Sequence, residues 1–374
     1  MIQRFIETRI KEDLFKGKTI VIYGARQIGK TTSVRRILKD FGEQGRYLDC
    51  ELISVSEKFN NPEPENMKSF FGDYKVIVMD EAQNLKFPGK VLKIITDHIK
   101  DVQIIATGSS SFELAGKISE PMTGRVYAHE MYPLSAGEIK GKGDWLEYDS
   151  KLERILRFGT YPEVFLSGEE EAGRLLDQIA SSYLYKDLLK LEGIRKPEVL
   201  RNLLILIALQ LGSEVSYNEL ASKLGINIRT VQSYLDLLEK TFVLFRLNSF
   251  SRNLRNELTK AVKIYFFDNG IRNSLINNFN AIEYRNDAGA LWENFIISER
   301  KKHNAYTGKR VNSYFWRTYD QKEVDYVEEE GGRIRGYEFK YSGNKRWGKA
   351  SQFKDAYNAE IEVISRNNFW KFLS

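Results

Sequence analysis

The 374-residue sequence predicts an α/β fold in three successive parts. Three observations carry this expectation. Apolar, β-rich runs at Thr19–Tyr23, Arg46–Asp49, Lys75–Met79 and Val102–Ala106 alternate with segments of helical character. That alternation builds a mostly parallel sheet with helices on both faces. Helical periodicity takes over from about residue 165 to Lys240, followed by β-rich residues Phe242–Phe250 and Lys263–Phe267. From Gly289 the chain reads as a helix, then strands, then a helix. The expected domains are therefore 1–165, 166–280 and 281–374, within the two or three that this length allows.

Composition narrows the chemistry. Hydrophobic residues at 42% and aromatics at 13% are enough to bury real cores. The single cysteine, Cys50, excludes an internal disulfide and a cysteine-based zinc site. His98, His129 and His303 are scattered and form no zinc-ligand pair, which leaves carboxylates as the natural metal ligands. With 57 Lys and Arg against 51 Asp and Glu, the net charge of +6 permits nucleic acid as a partner without requiring it. Charges interrupt the N-terminal MIQRFIETRIKEDLFKGK, and the longest apolar run, Leu203–Leu209, is far short of the roughly 20 residues of a membrane span. The expectation is a cytoplasmic protein without a membrane partner.

Residues 1–20 read as an amphipathic helix leading into the first apolar strand. After that strand, Gly24-Ala25-Arg26-Gln27-Ile28-Gly29-Lys30-Thr31 satisfies G-x-x-x-x-G-K-S/T, and Thr32 opens a helix. Strand, loop and helix in this order are the context the motif needs, which argues against a chance match. Backbone N–H groups of such a loop face phosphate oxygens, and the helix dipole favours their charge. Lys30 would neutralise the β- and γ-phosphates, and the Thr31 hydroxyl would coordinate Mg²⁺. A second apolar run, Val76–Met79, ends in Asp80-Glu81. Asp80 suits a Mg²⁺ contact through water, and Glu81 suits the polarising of an attacking water. A DE pair favours ATP hydrolysis over a small-molecule kinase or GTPase, and no N-K-x-D guanine-reading motif follows. The alternative for this pair is a solvated acidic strand end.

A further strand ends in Thr107-Gly-Ser109-Ser-Ser111, and Gly124-Arg125 lies downstream. These features in order resemble an AAA+ ATPase. More narrowly, the chain resembles prokaryotic DEXX-box ATPases that carry a nuclease-like C-terminal domain. The resemblance rests on GARQIGKTT (24–32), VIVMDEAQ (76–83), TGSSSFEL (107–114), GRVYAHEMYPLSAGE (124–138), RFGTYPE (157–163), ALWENFI (290–296) and VDYV…YEFK (324–340). It implies an N-terminal P-loop ATPase, a central winged helix and a C-terminal restriction-nuclease-like fold. In additional-strand ATPases a polar residue at the end of the inserted strand senses the γ-phosphate. Ser109 is the first choice for that role, with Thr107 and Ser111 as rivals and a plain hydroxyl-rich turn as the alternative. Arg125 is either an arginine finger, acting within the chain or on a neighbouring subunit, or a surface ion pair.

In the central part, Ser216-Tyr-Asn-Glu219 reads as a capping box opening a helix at Tyr217–Leu224. A turn at Gly225-Ile-Asn227 precedes a second helix, Ile228–Lys240, with Ile228, Val231, Leu235 and Leu238 at core spacing. This is helix-turn-helix patterning, and the β-rich residues beyond it would form a wing. The outward face offers Arg229, Gln232 and Ser233 to DNA, but also Asp236 and Glu239. Residues 195–263 hold 11 Lys and Arg against 6 Asp and Glu, so most of the net charge falls here. A structural lid or dimer surface is the alternative use.

The C-terminal part contains a hairpin. With Gly331-Gly332 as a two-residue turn, Asp325 faces Glu338 and Glu323 faces Lys340, all on one face. Two facing carboxylates repel unless a cation or proton intervenes, and a divalent metal with Lys340 steadying a hydroxide or phosphate resolves that. The arrangement resembles the PD-(D/E)xK nuclease site, which implies that Glu293 on the helix Ala290–Arg300 completes the metal shell. Val324 stands where the usual proline precedes the aspartate. Lys345, Arg346 and Lys349 are further candidates for phosphate contacts. The alternative is a set of plain surface ion pairs. Two functional expectations follow: an ATP- and Mg²⁺-dependent switch coupled to a DNA-binding, nuclease-like domain, or a nucleotide-controlled scaffold that binds a protein partner or a further copy of itself.

Overall fold

The computed structural model describes residues 2–108, 122–190, 196–251, 262–318, 322–341 and 351–373. The chain forms two compact units, Met1–Leu134 with Lys240–Phe242, and Ser135–Glu239 with Val243–Ser374.

The first unit is built on five strands, β1 (Thr19–Tyr23), β2 (Gly45–Asp49), β3 (Val76–Asp80), β4 (Gln103–Gly108) and β5 (Val126–Glu130), in the order β2-β3-β4-β1-β5. Every neighbouring pair is parallel. β1, β3 and β4 are buried along their whole length, which is why they read as continuous apolar runs. The helices Lys30–Lys39 and Pro88–His98 bury Val34, Ile37, Leu38, Val91, Leu92 and Ile95. Because all five strands run the same way, their C-terminal ends share one edge, where a parallel sheet places its ligands. That edge gathers Gly24, Asp80 and Gly108. β4 lies between the strand that feeds the phosphate loop and the strand that ends in Asp80. β5 carried no strong strand signal, because its residues VYAHE are only half-buried at a sheet edge.

The second unit contains a mostly antiparallel sheet of β6 (Glu214–Val215), β7 (Leu244–Ser249), β8 (Val262–Phe266), β9 (Asn312–Arg317), β10 (Glu323–Glu330), β11 (Arg333–Lys340) and β12 (Glu360–Ser365). Its order is β12-β11-β10-β9-β7-β8-β6, so strands from 166–280 and from 281–374 share one sheet. The two halves meet where β7 and β9 pair in parallel through Asn248–Tyr314 and Ser249–Phe315. The long helix Ala288–Thr307 buries Leu291, Trp292, Phe295 and Ile296. Phe250, Trp316, Val324, Val327 and Phe353 form a core cluster.

The pair of helices Tyr217–Leu224 and Ile228–Lys240 has the expected bounds, with Gly225 left-handed at φ 63° between them and Ser216 accepting the Glu219 N–H. Val231, Leu235 and Leu238 are buried as expected, but Ile228 is 42% exposed. It sits in the first helical turn, and Tyr234 completes the buried stripe instead. Within RFGTYPE, Gly159 is left-handed at φ 72°, and a Cβ there would overlap the Asp268 carboxylate. Asp268 in turn accepts the Thr160 N–H at 2.6 Å and the Ile271 N–H at 3.2 Å, closing the loop 158–160 onto the start of the helix Asn269–Leu275.

Candidate functional site

The phosphate loop leaves β1 and turns back on itself. A Cβ at Gly24 would overlap the Met131 carbonyl, so only glycine fits there. Gly29 (φ 95°) and the non-glycine Gln27 (φ 59°) are both left-handed. Lys30 is 5% exposed, and its ammonium donates to the loop carbonyls of Gly24 (2.9 Å) and Ala25 (2.8 Å). Arg4, in the N-terminal segment, donates to Ile28 O and Tyr132 O at 2.6 Å each. Arg4 was not singled out from the sequence, because nothing local distinguishes it from other basic residues near a terminus.

Asp80 is the hub of this edge. Its Oδ2 accepts from Thr31 Oγ1 (2.7 Å) and Tyr47 Oη (2.5 Å), and its Oδ1 accepts from Thr107 Oγ1. Thr107 also accepts the Glu81 N–H at 3.0 Å. Glu81 itself is left-handed at φ 52°, immediately after the strand, and its carboxylate accepts from Gln83. Three neutral hydroxyls therefore fix one buried carboxylate. Burial and the neighbouring Asp80 hold the Tyr47 phenol above its ordinary range, so it keeps its proton and donates a hydrogen bond to Asp80. Burial, then Asp80, also pushes the Cys50 thiol up to about 12, far from a reactive thiolate. The oxygens of Thr31 and Asp80 are hard donors of the kind Mg²⁺ takes, and they fit that ion.

Of the residues expected near the phosphates, the structure brings together Gly24 to Thr32, Asp80, Glu81 and Thr107. Ser109 and Ser111 lie outside the described residues. Arg125 lies elsewhere. Its neighbour Val126 pairs with Thr19 at the start of β1, whereas the phosphate loop leaves the other end after Tyr23. Four residues of strand separate those ends by about 13 Å. The Arg125 guanidinium is engaged by Asp97 at 2.6 Å on the helix Pro88–His98. A within-chain finger role is thereby corrected to an ion pair at the opposite edge of the sheet.

In the second unit the hairpin register is the expected one, with Glu330 opposite Arg333 and Tyr326 opposite Tyr337. The side chains differ from expectation. Glu323 does not pair with Lys340. It meets Lys263 from β8, and Arg317 at 3.7 Å. Lys340 pairs with Glu338 at 3.7 Å, and Asp325 Oδ2 accepts the Phe339 N–H at 2.7 Å. Glu293 accepts from Lys263 Nζ (3.2 Å) and Tyr265 Oη (2.6 Å). Burial raises the Glu293 carboxyl to about 7, with Lys263 pulling it down and Asp325 pushing it up. Burial also raises Asp325 and Glu338. Burial lowers the affinity of Lys263 for its proton, but Glu293, Glu323 and Asp325 more than offset this and hold it charged. Among the described residues no group of three His, Cys, Asp or Glu side chains is arranged to hold a metal. Glu293, Asp325 and Glu338 therefore do not fit a metal triad here: Glu338 is turned to Lys340, and an ammonium stands among the others. Lys345, Arg346 and Lys349 lie outside the described residues.

On the helix Ile228–Lys240, Arg229, Gln232 and Ser233 are exposed. Arg246 from β7 pairs with Asp236 (2.7 Å) and Glu239 (2.5 Å). One guanidinium thus meets both acidic residues and offsets one of their two negative charges within the unit. Among the described residues no helix is long and apolar enough to cross a membrane.

Comparison with known proteins finds matches to three stretches of the chain. Residues 16–140 match the family described as AAA domain. Residues 149–281 and 288–368 match two domains of unknown function, DUF8612 and DUF4143. An uncharacterized protein of Mycobacterium tuberculosis is 29% identical over 343 residues, covering 90% of this chain and 74% of that one. An uncharacterized protein of Haemophilus influenzae is 23% identical over 337 residues, covering 84% and 80%. Among solved structures, the RuvB Holliday junction branch migration motor of Thermotoga maritima aligns at 17% identity over 66% of this chain and 90% of that one, with a TM-score of 0.33. With its five-stranded parallel sheet and loop-to-helix phosphate motif, the N-terminal part of this chain is an AAA+-type ATPase domain.

Proposed function

We propose that the first unit binds ATP with Mg²⁺ and hydrolyses it, and that the second unit is the binding partner domain whose state the nucleotide controls. The backbone from Gly24 to Thr32 would cradle the phosphates, and Lys30 would exchange its loop carbonyls for the β- and γ-phosphate oxygens. Thr31 and Asp80 would hold Mg²⁺, which when bound neutralises charge on those oxygens. Glu81, aimed by its left-handed backbone, would orient the attacking water and take its proton. Thr107 keeps Asp80 and Glu81 in register with each other. The observation that carries the reading is the Asp80 carboxylate fixed by the hydroxyls of Thr31, Tyr47 and Thr107 at the end of the sheet. Lys30→Ala should abolish ATP binding measured by calorimetry, and unchanged binding would sink this assignment.

For the second unit, the exposed Arg229, Gln232 and Ser233 support DNA as the partner, with Arg246 offsetting part of the negative charge of Asp236 and Glu239 beside them. DNA affinity should fall steeply, by about tenfold or more, between 50 and 200 mM salt, and fall further in Arg229→Ala. Binding that ignores salt and the substitution would favour the protein-scaffold reading. The arrangement around Lys263 gives no support to metal-dependent cleavage in this unit.

A further inference from the structure

The carboxylate cluster of the second unit already contains a cation. Lys263 projects from β8, and its side chain is 2% exposed. Its ammonium contacts Glu293 at 3.2 Å and Glu323 more closely, and lies 5.6 Å from the Phe315 ring centre. Tyr265, two residues on along the same strand, donates to the same Glu293 oxygen at 2.6 Å. These carboxylates come from distant places in the chain, the helix Ala288–Thr307 and β10, yet they converge on one nitrogen. Carboxylates brought together away from water require a counter-charge. A metal ion and an ammonium are alternative answers to that requirement, and one point in space cannot hold both.

We infer that the Lys263 ammonium is the resident counter-ion of this cluster, standing where Glu293, Glu323 and Asp325 would otherwise hold a divalent cation. The second unit as built takes no such cation at this position. Replacing the lysine by a neutral side chain of similar length turns the same carboxylates into a metal site, because Arg317, 3.7 Å from Glu323, then offsets only part of their charge and their oxygens suit a hard ion. Tyr265 is close enough to Glu293 to act as an optical antenna for a bound lanthanide.

The test is a terbium titration of the full chain without nucleotide, read by tyrosine-sensitised emission, alongside thermal unfolding with and without Mn²⁺. Lys263→Met should gain a tight emission phase that wild type lacks, and Mn²⁺ should raise its unfolding temperature more than that of wild type. Adding Glu293→Gln and Glu323→Gln to Lys263→Met should remove both gains. Absence of the new phase in a folded Lys263→Met protein overturns the inference. Should Lys263→Met not fold, Glu293→Gln with Glu323→Gln in the otherwise unchanged chain decides the matter. Its titration should superimpose on that of wild type, and a loss of terbium binding would mean that the cluster holds metal with the lysine in place.

Discussion

Asp80 in the first unit and the Glu293–Glu323 pair in the second are both acidic groups at strand or helix positions shielded at least in part from bulk water, and they are satisfied in opposite ways. Asp80 receives its hydrogen bonds from three hydroxyls. Hydroxyls orient a carboxylate but leave its full negative charge in place, so a cation still finds it attractive. Glu293 and Glu323 receive theirs in part from an ammonium, which orients and also cancels charge. On the function proposed above, the donor type, more than the number of carboxylates, separates a site open to a metal from one whose charge is already compensated.

The largest expected effect tests the open site. Thr107→Val removes the hydroxyl that links Asp80 to the Glu81 N–H, so ATP turnover should fall by about 30- to 100-fold with nucleotide affinity within about threefold. Steady-state hydrolysis and equilibrium binding measured on the same protein check this. Equal turnover in the variant would mean that the hydroxyl network has no part in the chemistry.

The closed site predicts a pH dependence. The Glu293 carboxyl sits at about 7 in the folded protein against an ordinary 4.5, so between these values the folded state holds more protons than the unfolded state. Its contribution therefore favours folding at low pH and diminishes as pH rises through about 7. Lys263, Tyr265 and Asp325 are the charged or titratable groups that act on it. Glu293→Gln cannot titrate, and should flatten the decline in stability between pH 5 and pH 8 by roughly 1–3 kcal/mol. Urea unfolding of both proteins at the two pH values measures it, and parallel slopes would contradict the assignment. The smallest effect returns to Asp80. Tyr47→Phe removes one of its three donors and should raise the Mg²⁺ concentration for half-maximal hydrolysis by about 3- to 10-fold. Nucleotide binding in the presence of a chelator should not change, whereas a general weakening of the sheet would lower both.

Much of this was legible before the structure, for identifiable reasons. β1 has the bounds the apolar run implied, and the loop motif depends on neighbours in sequence. The hairpin register followed from a two-glycine turn, where pairing is local. The environment of Lys263 was not legible, because its partners lie 30 and 60 positions further along the chain. One signal was available: a lysine inside VKIYF, an otherwise apolar strand that is wholly buried, must find carboxylates somewhere. For Arg125 the sequence left a finger and a surface ion pair open for a related reason, and the contact with Asp97 is the second of these. Sequence order put it after the inserted strand, but parallel pairing with β1 returned it to the other end of the sheet.

The clasp between Thr160 and Asp268 also bears on how the chain is made. It joins positions 108 residues apart, and closing a loop of that length costs about 4 kcal/mol in chain entropy before any contact compensates. During synthesis, Gly159 and Thr160 leave the ribosome roughly 5–20 s before Asp268 does. For that interval the loop 158–160 has no native anchor, and the second unit can only complete its folding after Asp268 has emerged. A pause between 160 and 268 prolongs that exposure of the loop, and because β9 to β12 follow Asp268 in the chain, the sheet of the second unit closes only once they too have emerged.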